Sequence, residues 1–209
     1  MTQARSAWGY SPRKRWAHPP EGQGDGSRNV VAMVGGVPVS VDEVDAREAQ
    51  LRASRVASSL PRPGTSEGRQ LRRWLTQVLV TERVVAAEAA ARGLSADGAP
   101  SENDLLPDMA VRLEIGSVAA SVLSEPLARA LFSSVTAGVD VTDDEVASYR
   151  ARNPSRFADS VGIARHLRAA ARRRAFRLWL DARSAAVVEL APGYEHPGDP
   201  RQPDNTHRH

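Results

Sequence analysis

Apolar residues punctuate the chain with two different periods. Leu71, Trp74, Leu75, Val78 and Val85 recur at spacings that fall on one face of a helix, which predicts an amphipathic helix over 67–92 ending at Gly93. Upstream, VVAMVGGVPVS places two short β-branched runs around Gly35-Gly36, the signature of a hairpin over 30–40 because both glycines tolerate positive φ. Ser40 and Glu43 follow at capping-box spacing, so a helix over 41–58 is expected, with Val44 and Leu51 on its buried face. The stretch 94–107 reads as an acidic loop, and two apolar helical stretches, 108–123 and 126–135, come after it.

A second capping box, Thr142 with Glu145, opens another helix. Asp143 and Asp144 suit its N-terminus, and Asn153-Pro154 stops it. The last long helix is expected over 162–185, where Ile163, Leu167, Ala171 and Leu178 share a face and Phe176 and Trp179 add bulk. AVVELAP, 186–192, reads as a short strand. The pattern predicts a mostly α protein with a short N-terminal β-hairpin and a C-terminal strand. One domain over 29–192 would comprise an N-terminal part (29–95), a helical insert (96–138) and a C-terminal part (139–192), flanked by a basic, disordered arm (1–28) and a flexible tail (193–209).

Composition narrows this picture modestly. Aromatics are only 5% of the chain, so the core must be built from Leu, Val and Ala, residues that suit helices. There is no cysteine, which excludes disulfides and thiolate metal sites. No stretch has the length and apolarity of a membrane span, and the first residues lack the apolar segment of a secretory signal, so a cytoplasmic protein is expected. Net charge is +3 and the pI about 9.9, but nearly all the basic residues are arginine and Lys14 is the sole lysine. That bias also follows from a genome rich in G and C, so charge alone does not select a nucleic-acid partner.

The order of these elements, together with two motifs, resembles SurA/PrsA-type chaperones and peptidyl-prolyl isomerases. VVAMVGGVPVSVDEVD is similar to the family's opening V-V-A-x-V-N-G-x-x-I-T-x-x-E/D. VTDDEVASYRARNPSRF is similar to V-T-D-E-E-V-x-x-Y-Y-x-x-N-x-x-x-F, matched by Val141, Thr142, Asp143, Asp144, Glu145, Val146, Tyr149, Asn153 and Phe157. The resemblance covers about 29–95 and 139–190. It implies a SurA-like helical chaperone core in which the strand near 186 pairs with the strands at 30–39. In family isomerases a parvulin domain follows the N-x-x-x-F segment. Here the arginine-rich helix follows within a few residues, so no isomerase activity and no catalytic histidine are carried over. The implied function is non-catalytic binding of unfolded or partner polypeptide, serving one biosynthetic or secretory partner, through an apolar groove with polar rims. Trp74, Val78, Phe176, Trp179 and Arg174 are its candidate lining residues. No cofactor and no metal are expected.

GTSEG, residues 64–68, raises an enzymatic alternative. It fits the nucleophile-elbow pattern G-x-S-x-G, and Ser66, Arg92 and His166 occur in the order of the serine, carboxylate-binding arginine and histidine base of malonyl-CoA:acyl-carrier-protein transacylases. An elbow needs a strand leading into the serine, whereas Pro61 and Pro63 break any strand there, and Thr65 stands where the transacylases have histidine. The competing role for Ser66 is a helix N-cap, with Glu67 favoured beside it.

The arginines at 168, 172, 173, 174, 177 and 183 offer a third reading, a phosphate-contacting face on a nucleic-acid-binding protein. Salt bridges from this helix to the acidic loop at 102–108 would account for the same residues. Arg174 falls near the Ile163–Leu178 stripe, where it would need an acidic partner or would line a groove. His196, His207 and His209 lack metal-site spacing. Oligomeric state is open, although the segments around 108–135 are apolar enough for a dimer contact.

Overall fold

Gly35 and Gly36, at φ +56° and +85°, form the turn that lets β1 (Val30–Val34) fold back on β2 (Val37–Ser40). A computed structural model describes residues 29–196; the basic arm assigned to 1–28 and the tail beyond 196 lie outside the described residues. Among the described residues eight α-helices follow the hairpin: α1 (Val41–Arg52), α2 (Ser66–Ala91), α3 (Glu102–Leu105), α4 (Met109–Ile115), α5 (Ser117–Val122), α6 (Pro126–Val135), α7 (Asp143–Arg152) and α8 (Ser160–Val187). The chain then enters β3 (Val188–Leu190), which pairs antiparallel with the far side of β1 to give the order β2-β1-β3. Backbone bonds from Gly35 to Val187 (2.8 Å) and from Ala191 to Val31 (2.9 Å) frame that pairing. The mostly helical fold with a hairpin and a closing strand is therefore as the hydrophobic pattern predicts.

The amphipathic α2 is the axis of the molecule, packing against α1, α5, α6, α8 and β1. Its Leu75, Val78, Val84 and Val85 are buried in one core cluster with Leu123, Leu131 and Phe132 and with Val31 and Val39 of the sheet. The helix ends in a Schellman arrangement. Gly93, at φ +62°, donates to Ala90, and Leu94 donates to Ala89, which satisfies carbonyls the helix leaves open. Charged side chains lock α1 antiparallel to α2. Arg47 makes two bonds to Glu82 (2.9 and 2.7 Å), Arg72 reaches Asp45 and Glu48, and Arg83 pairs with Glu43.

Several expected boundaries move. The first helix ends at Arg52 rather than 58: the Ser54 hydroxyl bonds the Leu51 carbonyl, and Arg52 reaches the Pro61 carbonyl across the loop. The loop expected at 94–107 contains α3, nucleated by a reciprocal box between Ser101 and Asp104, which buries Leu105 and Leu106. The helix expected at 108–123 is two helices, because Gly116 at φ +95° ends α4 and starts α5. The expected tail also starts later. Arg73 Nε donates to the Gly193 carbonyl (3.1 Å) and Gln77 to that of Tyr194 (3.2 Å), so 193–196 follow the side of α2.

Of the expected caps, Ser40 with Glu43 and Thr142 with Glu145 form both halves of their boxes. Ser66 is not a cap. Thr65 holds that position in extended geometry (ψ 166°), its Oγ1 accepting from the Gly68 amide at 3.1 Å, while Ser66 is the first helical residue. The Thr65 hydroxyl also donates to Arg62, and Gly68 is pressed so closely under the Arg62 carbonyl that a Cβ there would lie 2.4 Å from its oxygen. That loop geometry sets the helix start one residue early.

Candidate binding groove

The α1–α2 salt bridges hold two helices side by side, and α5 and α6 lean against the other flank of α2. Between them lies an open groove of about 500 Å³. Its floor is Leu51, Val85, Ala86, Val122, Leu127 and Ala128, and Arg47, Gln50, Ser54, Glu82 and Glu125 form its rim. Val85, Val122 and Ala128 belong to the buried core, so the floor is fixed by packing rather than by mobile side chains. Arg47 titrates above its ordinary range, chiefly because its guanidinium is hydrogen-bonded to Glu82, with smaller support from the charge of Glu125.

None of the five residues expected to line a groove lines this one. Val78 and Phe176 are fully buried core. Trp179 stacks on Phe176 with ring centres 5.9 Å apart and carries the Arg92 guanidinium over its face. Trp74 donates its indole N–H to the Ser117 hydroxyl (3.1 Å) and borders a separate, shallower cleft with Leu71, Pro61 and His196. Arg174 is exposed and has no partner among the described residues, so it is neither a buried charge nor part of the groove. The buried arginine of α8 is its neighbour Arg173, 3.8 Å from Glu114.

The displacement has a geometric cause. At about 100° per residue, Ile163, Leu167, Ala171 and Leu178 lie on one side of α8, but only the first half of that side meets α7. The second half of α8 turns a nearly opposite side, Arg173, Phe176 and Leu180, into the main core. Leu178 therefore continues a stripe that has run past its partner and is 55% exposed.

The three residues of the enzymatic alternative are not brought together. Ser66 and Arg92 stand at opposite ends of α2, about 39 Å apart at 1.5 Å per residue. Arg92 lies over Trp179, roughly 20 Å along α8 from His166 by the same rise. His166 instead packs on the rings of Tyr149 (5.6 Å) and Phe157 (5.2 Å), residues of the second motif. Burial, then the charges of Arg156 and Arg173, hold its pKa below the ordinary histidine value.

The α8 arginines do not clamp the 102–108 segment either. Glu102 pairs with Arg112, whereas Arg168 meets Asp140, Arg172 the Thr136 hydroxyl and the Phe132 ring, Arg177 the Glu114 carbonyl, and Arg183 Glu88. Five of the six are thus engaged within the fold. Among the described residues no group of acidic and histidine side chains is placed to hold a metal ion, and no helix is long and apolar enough to cross a membrane. Of the apolar segments around 108–135, α6 buries Leu131 and Phe132, while Met109 and Leu113 of α4 project into solvent.

Residues 30–67, from the hairpin to the start of α2, are similar to a family of unknown function, DUF7158. No curated protein and no solved structure matches the chain.

Proposed function

We propose that the chain is a chaperone-like protein that binds unfolded or partner polypeptide in the α1–α2–α5–α6 groove and performs no catalysis of its own. The observation that carries this reading is the groove's build: an apolar floor held rigid by the core, open to solvent, with polar residues around its edge. Such a surface accepts an apolar side chain of a bound segment without collapsing on itself. The pairing of β3 with β1, which the likeness to SurA/PrsA-type chaperones leads one to expect, supports the same reading.

The test is suppression of aggregation. A chemically unfolded client is diluted into buffer with an equimolar amount of the protein, and light scattering is followed. The intact chain is expected to suppress scattering, Ser66→Ala to act like it, and Ala86→Asp, which puts a charge on an exposed part of the groove, to lose most of the effect. Absence of suppression by the intact chain, or undiminished suppression by Ala86→Asp, would overturn the proposal.

A further inference from the structure

The rim of the groove is not electrically neutral. Arg47 is the only cation lining it and is already joined to Glu82 through both terminal nitrogens. Glu125 is a second carboxylate on the same rim. The residue is exposed, and its carboxylate forms no hydrogen bond or ion pair at bonding distance among the described residues. Although it occupies the N-cap position of α6, its side chain makes no capping bond, so the helix does not use it as a cap. The guanidinium of the neighbouring Arg129 is taken up by the carbonyls of Pro100, Leu123 and Ser124 and makes no ion pair with it. A carboxylate with no directly bonded cation, coupled only through space to the already paired Arg47, thus lines the groove beside Leu127 and Ala128.

We propose that the groove selects polypeptide segments in which an apolar side chain is accompanied by a lysine or arginine close by: the apolar group rests on Leu51, Val85 and Leu127, and the cation meets Glu125. This rests on the polypeptide-binding reading and adds its specificity. An opposite charge at the rim orients a segment and speeds its capture, and a like charge there is rejected. Segments with acidic residues beside the apolar anchor are excluded by the same carboxylate.

Two synthetic fourteen-residue peptides, identical in a leucine-rich face but flanked by lysine in one and glutamate in the other, provide the test. Binding to the intact chain is measured by fluorescence anisotropy at low and at moderate salt. The lysine peptide is expected to bind at least fivefold more tightly at low salt, with the gap narrowing as salt screens the rim. Glu125→Gln should bring the two peptides within twofold of each other, and Glu125→Arg should reverse the order. Leu127→Ser should weaken both alike. Equal binding of the two peptides by the intact chain, or a lysine preference that persists in Glu125→Gln, overturns the selectivity while leaving polypeptide binding in place. Failure of both peptides to bind, together with failure to suppress client aggregation, overturns both.

Discussion

At the scale of single residues, the consequential detail is which side chain starts α2. Thr65 accepts the Gly68 amide and Ser66 does not, so the two neighbours should respond differently to truncation. Thr65→Ala is expected to cost about 1 kcal/mol, a lost N-cap bond, whereas Ser66→Ala should stay within about 0.5 kcal/mol of the parent, since it removes no cap. Urea unfolding of both variants checks this. The reverse ranking would return the cap to Ser66. The sequence shows that a cap belongs at GTSEG, because a polar residue must stand before an amphipathic run that follows prolines. It does not show which of two adjacent hydroxyls has extended backbone, since that depends on how the Arg62 carbonyl closes over Gly68.

Among the elements, α7 stands outside the main core, with α8 as its chief neighbour. It packs chiefly on the first half of α8, and Val146 of α7 and Ile163 of α8 are both buried outside the main core cluster. Tyr149 adds ring contacts there, but its hydroxyl is buried with no hydrogen-bond partner among the described residues, which costs free energy. The α7–α8 end should therefore open more readily than the body. His166 couples this opening to pH. It is faced by Tyr149 from α7, Arg156 and Phe157 from the preceding loop, Arg173 from its own helix and Glu114 from α4.

Because the folded state depresses the pKa of His166 from 6.5, the open state binds the proton more readily. The imidazole's contribution is fully present above pH 6.5 and is lost as pH falls through that value toward the folded pKa. Hydrogen exchange of α7 amides, corrected for intrinsic rates, should show protection dropping between pH 7.5 and 5.0. The drop should be smaller in His166→Asn. An equal drop in both would remove histidine from the account.

At the scale of the whole molecule, β3 joins the two ends of the described chain. It is only three residues long, yet it is what holds the end of α8 against the hairpin. Glu189 lies opposite Met33 in that ladder, and its side chain is exposed, so Glu189→Pro removes an N–H without disturbing the core directly. The expected loss is on the order of 1–3 kcal/mol, read as a lower thermal midpoint for the entire unfolding transition. A separate early transition confined to the hairpin would show instead that the ends are not joined cooperatively.

What the sequence by itself determined is the inventory: a hairpin at Gly35-Gly36, the capped starts at Ser40 and Thr142, the long amphipathic α2 ending at Gly93, and a closing strand. Each depends on neighbours a few residues apart, so local propensity and hydrogen bonding suffice to specify it. Tertiary structure alone decided which faces meet. α8 turns opposite sides to α7 and to the core, which moved the buried arginine from 174 to 173 and left Leu178 exposed. It also decided where the groove lies. Leu51 and Val85 are legible as apolar helical positions, but their meeting with Leu127, Ala128 and Glu125 spans distant parts of the chain and leaves no local periodicity. A helix repeats every 3.6 residues whatever packs on it, and the identity of its neighbour is set only when the chain closes.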